Sequence, residues 1–256
     1  MAQINNSIAQ RKPLPDTSIT YQVNGADVKL SPSIVRNYLT NGNGNVSDQE
    51  VTYFINLCKY QKLNPLVKEA YLIKYGNSPA TMVVSKEALL KRAMHNPMYK
   101  GHEAGVIVQD RKTGELKNRT GSFVLPEETL IGGWAKVYVD GYQVPMESAV
   151  AYSEYVGMKD GRPNAMWGSK PGTMIRKVAL VTALREAFPD DMNGMYAAEE
   201  VGAEVDETTV PEVPVEPDSA PEPEPMPLLN PQEEDYSQIP PDYDEPQMDT
   251  LPPEFE

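Results

Sequence analysis

The chain has 256 residues, a formal net charge of −14 and 40% hydrophobic residues. A chain of this length can bury a sizeable core, and its one cysteine, Cys58, excludes an internal disulfide and favours packing as a small hydrophobe. No apolar run reaches the roughly 18–20 residues of a membrane span. The sequence therefore predicts a soluble, cytoplasmic protein without a membrane anchor.

The charge is distributed very unevenly along the chain. Residues 1–198 contain all 23 Lys and Arg and 18 of the 37 acids, a balance of +5, whereas residues 199–256 contain 19 acids and no base. The same C-terminal part contains 13 of the 24 prolines. Because alternating Pro and acids cannot pack a core, we predict a folded core over residues 1–198 and a disordered acidic Pro-rich tail over residues 199–256.

The first part of the core begins with a hairpin and two helix starts. The stretch "ITYQVNGADVKL" predicts two antiparallel strands joined at Asn24-Gly25, a strong signal for a type I′ turn. Ser31 followed by Pro32 is typical of a helix start. Ser47 and Glu50, three residues apart, form the pattern of a capping box at the start of a second helix.

The rest of the core alternates strands and helices. Residues 64–95 read as loop, strand, turn, strand and a helix capped by Ser85, and "WAKVYVDGYQVPM" predicts another hairpin around Asp140-Gly141. Pro171 fits the first turn of a long, largely buried helix. The fold class predicted is α+β, an antiparallel sheet with packed helices.

Two arginines of the long helix face different ways. Arg176 and Arg185 are nine residues apart, and nine residues turn a helix by about 900°, so their side chains lie on opposite sides. They cannot form one basic stripe within a monomer. If both contact a polyanion, either the chain wraps around that ligand or two subunits share it.

Catalytic motifs are missing from the sequence. There is no G-x-x-x-x-G-K-[ST] loop for a nucleotide, the two histidines lack companions at zinc-ligand spacing, and Glu147 and Glu154 lack a third acid that would hold Mg²⁺. We therefore expect that the protein is not an enzyme and binds no cofactor. The rival hypothesis is a metal-dependent nuclease.

Binding of single-stranded nucleic acid has better support, because it requires a basic groove with aromatic platforms. A cluster of such residues falls within 19 positions: Lys159, Arg162, Trp167, Lys170, Arg176 and Lys177. Its stretch "MKDGRPNAMWGSKPG" has the Gly and Pro content of an exposed loop. The structural alternative is that Trp167 anchors the core and the cations form a solvated rim.

Two blocks of the chain have a distinctive pattern. The first is an Asn-Pro-x-x-Lys-Glu-x-Tyr run, carried by Asn64, Pro65, Lys68, Glu69 and Tyr71. The second block contains Trp167, Ser169, Pro171, Met174, Arg176, Arg185, Ala187 and Phe188. Both blocks resemble the RecT/Redβ superfamily of single-strand annealing proteins, and within it the Bet group of phages. The resemblance covers residues 45–196.

The resemblance implies an ATP-independent protein of phage recombination that binds single-stranded DNA, forms rings or filaments and anneals complementary strands in the bacterial host cell. It implies Lys68, Arg176 and Arg185 as backbone contacts in a groove, with Lys159, Arg162 and Lys170 as helpers beside Lys177. Trp167 either stacks on a base or packs the groove wall. The implied partners are single-stranded DNA, the annealed duplex, further copies of the chain, the host single-strand-binding protein and a phage exonuclease.

The chain departs from the family pattern in two places. Gly172, Thr173 and Val178 stand where the best-known member has further basic residues, so the cation set of the groove must differ. The tail does not resemble the small helical domain through which relatives contact partners. It is expected to mimic DNA within the chain, to recruit a partner or only to solubilise. The alternative function is an oligomeric adaptor without annealing activity that recruits partners through this tail.

Overall fold

The computed structural model describes residues 16–203. The predicted tail lies outside the described residues, apart from residues 199–203. None of the helices in the described range is long and apolar enough to cross a membrane.

The described residues form eleven strands. They are β1 (Ile19–Val23), β2 (Ala26–Leu30), β3 (Thr40–Asn41), β4 (Ala70–Ile73), β5 (Thr81–Val84), β6 (Tyr99–Asp110), β7 (Leu116–Thr120), β8 (Glu128–Val139), β9 (Met146–Ala151), β10 (Met158–Lys159) and β11 (Arg162–Pro163).

Seven α-helical segments lie between and after these strands. They are α1 (Pro32–Ile34), α2 (Asp48–Gln61), α3 (Lys86–His95), α4 (Tyr152–Tyr155), α5 (Ala165–Ser169), α6 (Pro171–Ala187) and α7 (Pro189–Met192). A π-helical turn, Val35–Leu39, continues α1, and two 3-10 helices cover Pro65–Val67 and Ala198–Val201. Helices thus accompany strands throughout.

The strands form four sheets in the described part of the chain. The largest has the order β7-β6-β8-β9 and is antiparallel throughout. A three-stranded sheet, β3-β4-β5, contains one parallel pair, and the hairpins β1-β2 and β10-β11 stand as two-stranded sheets. This arrangement confirms the predicted α+β class with antiparallel sheets and packed helices.

Helix α6 packs directly on the four-stranded sheet. Ten of its 17 residues are buried, which explains why its apolar positions cover most of its circumference. Strand β8 contributes Gly133 at the contact, where an added Cβ would lie 2.5 Å from the Ile175 carbonyl oxygen. Only glycine allows the helix and the strand to approach this closely.

Several local predictions are confirmed. Asn24 and Gly25 join β1 and β2 with φ of 50° and 83°, as a type I′ turn requires. Ser47 and Glu50 form the capping box of α2, and the Ser85 hydroxyl accepts from the Ala88 amide at the start of α3. Cys58 is buried, and burial raises the pKa of its thiol to about 12.

The structure differs from the sequence prediction in the detail of two turns. Strands β8 and β9 form the predicted hairpin, but only Gly141 of the Asp140-Gly141 turn is left-handed, with φ of 78°, and the Tyr142 amide donates to the Val139 carbonyl oxygen over 3.2 Å. In the predicted exposed loop, Asp160 and Gly161 form a tight hairpin turn with φ of 51° and 75°, and α5 follows directly. The loop is therefore a small ordered unit.

The predicted boundary after Ala198 falls inside an ordered element. Ala198 begins the last 3-10 helix, and Glu199 is buried within it. Glu199 and Glu200 therefore belong structurally to the folded core, although their composition matches the tail.

Candidate nucleic-acid interface

A cleft of about 210 Å³ opens where the start of α3, helix α5, the first turns of α6 and the last 3-10 helix meet. We call it the basic groove and define it by the cations that line it: Lys86, Lys170, Arg176 and Lys177. Its apolar wall includes Met166 and Trp167, and two acids, Glu87 and Glu199, also line it. It thus combines concentrated positive charge with an apolar wall.

Capping interactions place two of the groove cations. Lys86 is the first residue of α3 because the Ser85 side chain caps that helix. Lys170 lies at the junction at which α5 ends and α6 begins, and its exposed side chain reaches the groove from there. The Asn164 side chain caps α5 by accepting from the Trp167 amide over 3.0 Å, which fixes the wall beside Lys170.

Trp167 belongs to the wall of the groove. Its side chain is 3% exposed and packs edge-on against Tyr152, with the ring centroids 5.7 Å apart. A base cannot stack on an indole face covered in this way without a rearrangement. The geometry therefore agrees with the packing alternative for Trp167.

Arg176 connects the groove to the large sheet. Its Nε donates to the Ala104 carbonyl oxygen of β6 over 3.1 Å. Nearby, burial lowers the pKa of His102, and the positive charges of Arg176 and Lys86 lower this pKa further. The pKa of His102 therefore depends on the charge of two groove cations.

The next two predicted cations are held by acids of the last 3-10 helix. Lys177 Nζ donates to Glu199 Oε1 over 2.8 Å, and the Lys177 side chain is only 11% exposed. Arg185 forms a bidentate pair with Glu200 and lies over the Tyr196 ring, 4.7 Å from its centroid. Arg176 and Arg185 thus contact different elements, in agreement with their predicted opposite faces.

Lys159 and Arg162 occupy the exposed β10-β11 hairpin. They are direct cross-strand neighbours, although like charges opposite one another destabilise a sheet. Within residues 16–203 no carboxylate forms an ion pair with either of them or with Lys170. An anion between the two side chains would relieve their repulsion.

Lys68 lines a second cleft, of about 340 Å³, together with Lys91. Its backbone is left-handed, with φ of 63°, at the end of the 3-10 helix Pro65–Val67. Glu87 lines both the second cleft and the basic groove, so the two clefts adjoin along α3. Lys68 therefore lies outside the basic groove, in a second cleft that adjoins it.

The structure explains one departure from the family pattern. Gly172 is buried, and a Cβ there would lie 2.2 Å from the Ser122 carbonyl oxygen. A basic side chain has no room at this position. The groove instead takes a cation from α3, Lys86, which sequence reasoning missed because Lys86 lies far from residues 159–177 in the chain.

Groups of three or more potential metal ligands are absent from residues 16–203. His102 Nδ1 is 2.6 Å from the Tyr99 hydroxyl, and His95 Nδ1 is 2.6 Å from the Lys91 carbonyl oxygen. Both histidines thus have local partners.

A cation-lined groove with an apolar wall, on an α+β core, suits a polyanionic ligand with flat apolar groups. The RecT family model matches residues 27–212, well over half of the chain. The chain therefore belongs to the RecT family, whose members bind and anneal single-stranded DNA in recombination. No curated relative matches the sequence.

Proposed function

We propose that this RecT-family protein binds single-stranded DNA along the basic groove and anneals complementary strands without ATP, as a ring or filament, during phage recombination in the bacterial cytoplasm. The observation that carries the proposal is the convergence of Lys86, from α3, with Lys170 and Arg176, from a distant part of the chain, on one cleft beside Trp167. The groove should contact phosphates, and base pairing should provide the sequence specificity.

The placement of the cations supports the proposed assembly. Arg185 lines neither the basic groove nor the cleft of Lys68 and is paired with Glu200, so a phosphate contact beside this pair needs a strand that wraps around the chain or is shared with a neighbouring subunit. We propose the annealed duplex as product, and host single-strand-binding protein and a phage exonuclease as partners. The acidic tail, predicted to be disordered, is proposed to act on the groove or on a partner.

The exposed hairpin is proposed as a rim of the groove. Lys159 and Arg162 carry unpaired positive charge at its turn, within the described residues, and lie close in sequence to the wall residue Trp167. A phosphate between them would remove their mutual repulsion. Affinity gained there adds to the contacts of Lys170.

The test is the rate at which two complementary oligonucleotides pair without ATP over a salt series. The full chain should accelerate pairing, and affinity for one strand should fall with salt by about 0.7 log units per log unit for each phosphate contact. Lys170→Ala should reduce this slope by about one such contact. Lys112→Ala is the matched control, because Lys112 is exposed on the β6-β7 turn, away from the basic groove.

The rival functions give different outcomes in the same assay. An oligomeric adaptor would bind no strand and leave the pairing rate unchanged, whereas a nuclease would shorten the strands when Mg²⁺ is added. Unchanged slopes for Lys170→Ala in a folded protein would contradict the assignment of the groove.

A further inference from the structure

The segment Met195–Ala203 borders the basic groove through Glu199 and Ala203. The Tyr196 carbonyl oxygen accepts from the Val84 amide over 2.8 Å, which anchors the segment to β5. Ala198 is buried in a cluster with Ile73 and Val83, and Ala203 borders the groove. The segment thus combines a firm anchor at its start with an end that faces the proposed ligand.

Two adjacent acids of this segment form ion pairs with cations that the sequence analysis predicted to contact DNA. Glu199 holds Lys177, and Glu200 holds Arg185. With the segment in place, Lys86, Lys170 and Arg176 line the groove, Lys86 as the partner of Glu87, whereas the Lys177 side chain is only 11% exposed. The carboxylate of Glu199 therefore stands where a phosphate would otherwise bind.

The two acids differ in how well their oxygens are satisfied. Glu200 accepts from Arg185, from the Ala197 amide over 2.8 Å and from the Thr182 hydroxyl. Oε2 of Glu199 is buried and makes no hydrogen bond to any residue of 16–203. A buried carboxylate oxygen without a donor raises the free energy of the folded arrangement. Glu199 is thus the weak point of an otherwise well anchored segment.

We propose that Lys177 is a closed phosphate site, which Glu199 covers in the free protein and which single-stranded DNA opens by displacing Glu199 and residues 201–203. A strand in the groove brings phosphates towards the Glu199 carboxylate and repels it. Displacement returns this carboxylate to water and transfers Lys177 to a phosphate. The inference rests on the proposed function, because it assigns a regulated contact to the same groove.

The movement required is local. Glu200 stays on Arg185, and the bond between Tyr196 and Val84 stays intact, so only the Glu199 side chain and the end of the segment rearrange. One hydrogen bond reports this rearrangement: the Ala203 amide donates to the Ala198 carbonyl oxygen over 2.8 Å in the closed state. The Val84 amide is an internal reference that should not change.

The first experiment compares Glu199→Gln with the wild-type full chain in binding oligothymidylate over a salt series. Loss of the negative charge should tighten binding at each salt concentration, whereas the log–log salt slope should stay that of the wild type, because Lys177 contacts a phosphate in both bound states. Adding Lys177→Ala to Glu199→Gln should lower the slope by about 0.7, one phosphate contact, or about fivefold in affinity per tenfold change in salt. A purely structural role of Glu199 would leave the affinity of Glu199→Gln no tighter than that of the wild type.

Glu186→Gln is the matched control, because it removes one negative charge from an exposed position of α6, the helix that carries Lys177, without lining the groove. Its affinity and its slope should equal those of the wild type. Thermal denaturation of each variant establishes that it is folded.

The second experiment needs no variant. Hydrogen exchange of the wild-type chain should become faster in peptides covering residues 199–203 when oligothymidylate binds, while the Val84 amide keeps its protection. Binding accompanied by unchanged or slower exchange at residues 199–203 would overturn the closed-site proposal but leave the proposed function standing. Failure of the wild-type chain to bind oligothymidylate at all would overturn both.

Discussion

Arg185 and Glu200 join the end of α6 to the last 3-10 helix through two parallel hydrogen bonds, 2.9 Å from Nη1 to Oε2 and 2.5 Å from Nη2 to Oε1. The Glu200 side chain is 5% exposed and that of Arg185 is 21% exposed. This bidentate geometry is the strongest form of a side-chain ion pair. Residues that composition assigns to the tail are therefore part of what holds the core together.

Arg185→Ala should lower the free energy of unfolding by about 3 kcal/mol, because it leaves the buried Glu200 carboxylate without its partner. Urea denaturation of the single variants and of the double variant with Glu200→Ala measures the coupling. The double variant should lose less than the sum of the two single losses. Strictly additive losses would show that the pair contributes little.

Gly172→Ala should destabilise the protein by about 1–3 kcal/mol, because the new Cβ would overlap the Ser122 carbonyl oxygen and force the start of α6 away from it. Gly168→Ala is the control: its Cβ would lie at an ordinary 3.7 Å from the nearest atom, the Pro163 carbonyl oxygen. Thermal denaturation should separate the two variants. Equal melting temperatures would contradict the close contact at Gly172.

Arg176→Gln should raise the pKa of His102 towards its usual range. Burial is the largest cause of the lowered pKa and remains in the variant, but one of the two repelling cations is removed. NMR titration of the imidazole measures the change. Binding of oligothymidylate should shift this pKa upwards in the wild type too, since phosphates neutralise Arg176 and Lys86. Lys112→Gln should leave the pKa where it is.

The protein should lose stability in acid as the ion pair between Glu50 and Lys74 is lost. The Lys74 ammonium group, with help from the amides of Ser47 and Ala80, lowers the pKa of Glu50 from 4.5 to about 2. The stabilisation is therefore complete above the unfolded-state pKa and is lost as the pH falls from about 4.5 to about 2. Glu50→Gln should be less stable than the wild type near neutral pH, and the difference should shrink in acid.

Local signals predicted the fold best where a side chain satisfies backbone groups a few residues away, as Ser47 and Ser85 do. The same kind of signal predicted the hairpin but not the turn type at Asp140. Asp140 and Gly141 follow β8 in the predicted hairpin, but only Gly141 is left-handed, and the Asp140 amide donates to the carbonyl oxygen of Met98, 42 residues away in the chain. Asp160 has the dipeptide and forms the turn, but its two-residue strands show no alternation that could be recognised.

The candidate site was predictable in part. The density of cations at residues 159–177 pointed to the groove, and Lys170 and Arg176 do line it. Lys86 was missed because only the fold brings the start of α3 to α6. Glu199 was assigned to the tail because composition cannot distinguish a solvated acid from one that is buried in an ion pair.

The contact at Gly133 has a mechanical consequence. Because Gly133 places no side chain between strand β8 and the Ile175 carbonyl, the backbone of α6 lies directly against the strand. This close packing holds the helix on the sheet, with Arg176 on one side of it and Arg185 on the other. Adjustment to DNA strands of different sequence is left to the long cationic side chains and to the exposed β10-β11 hairpin.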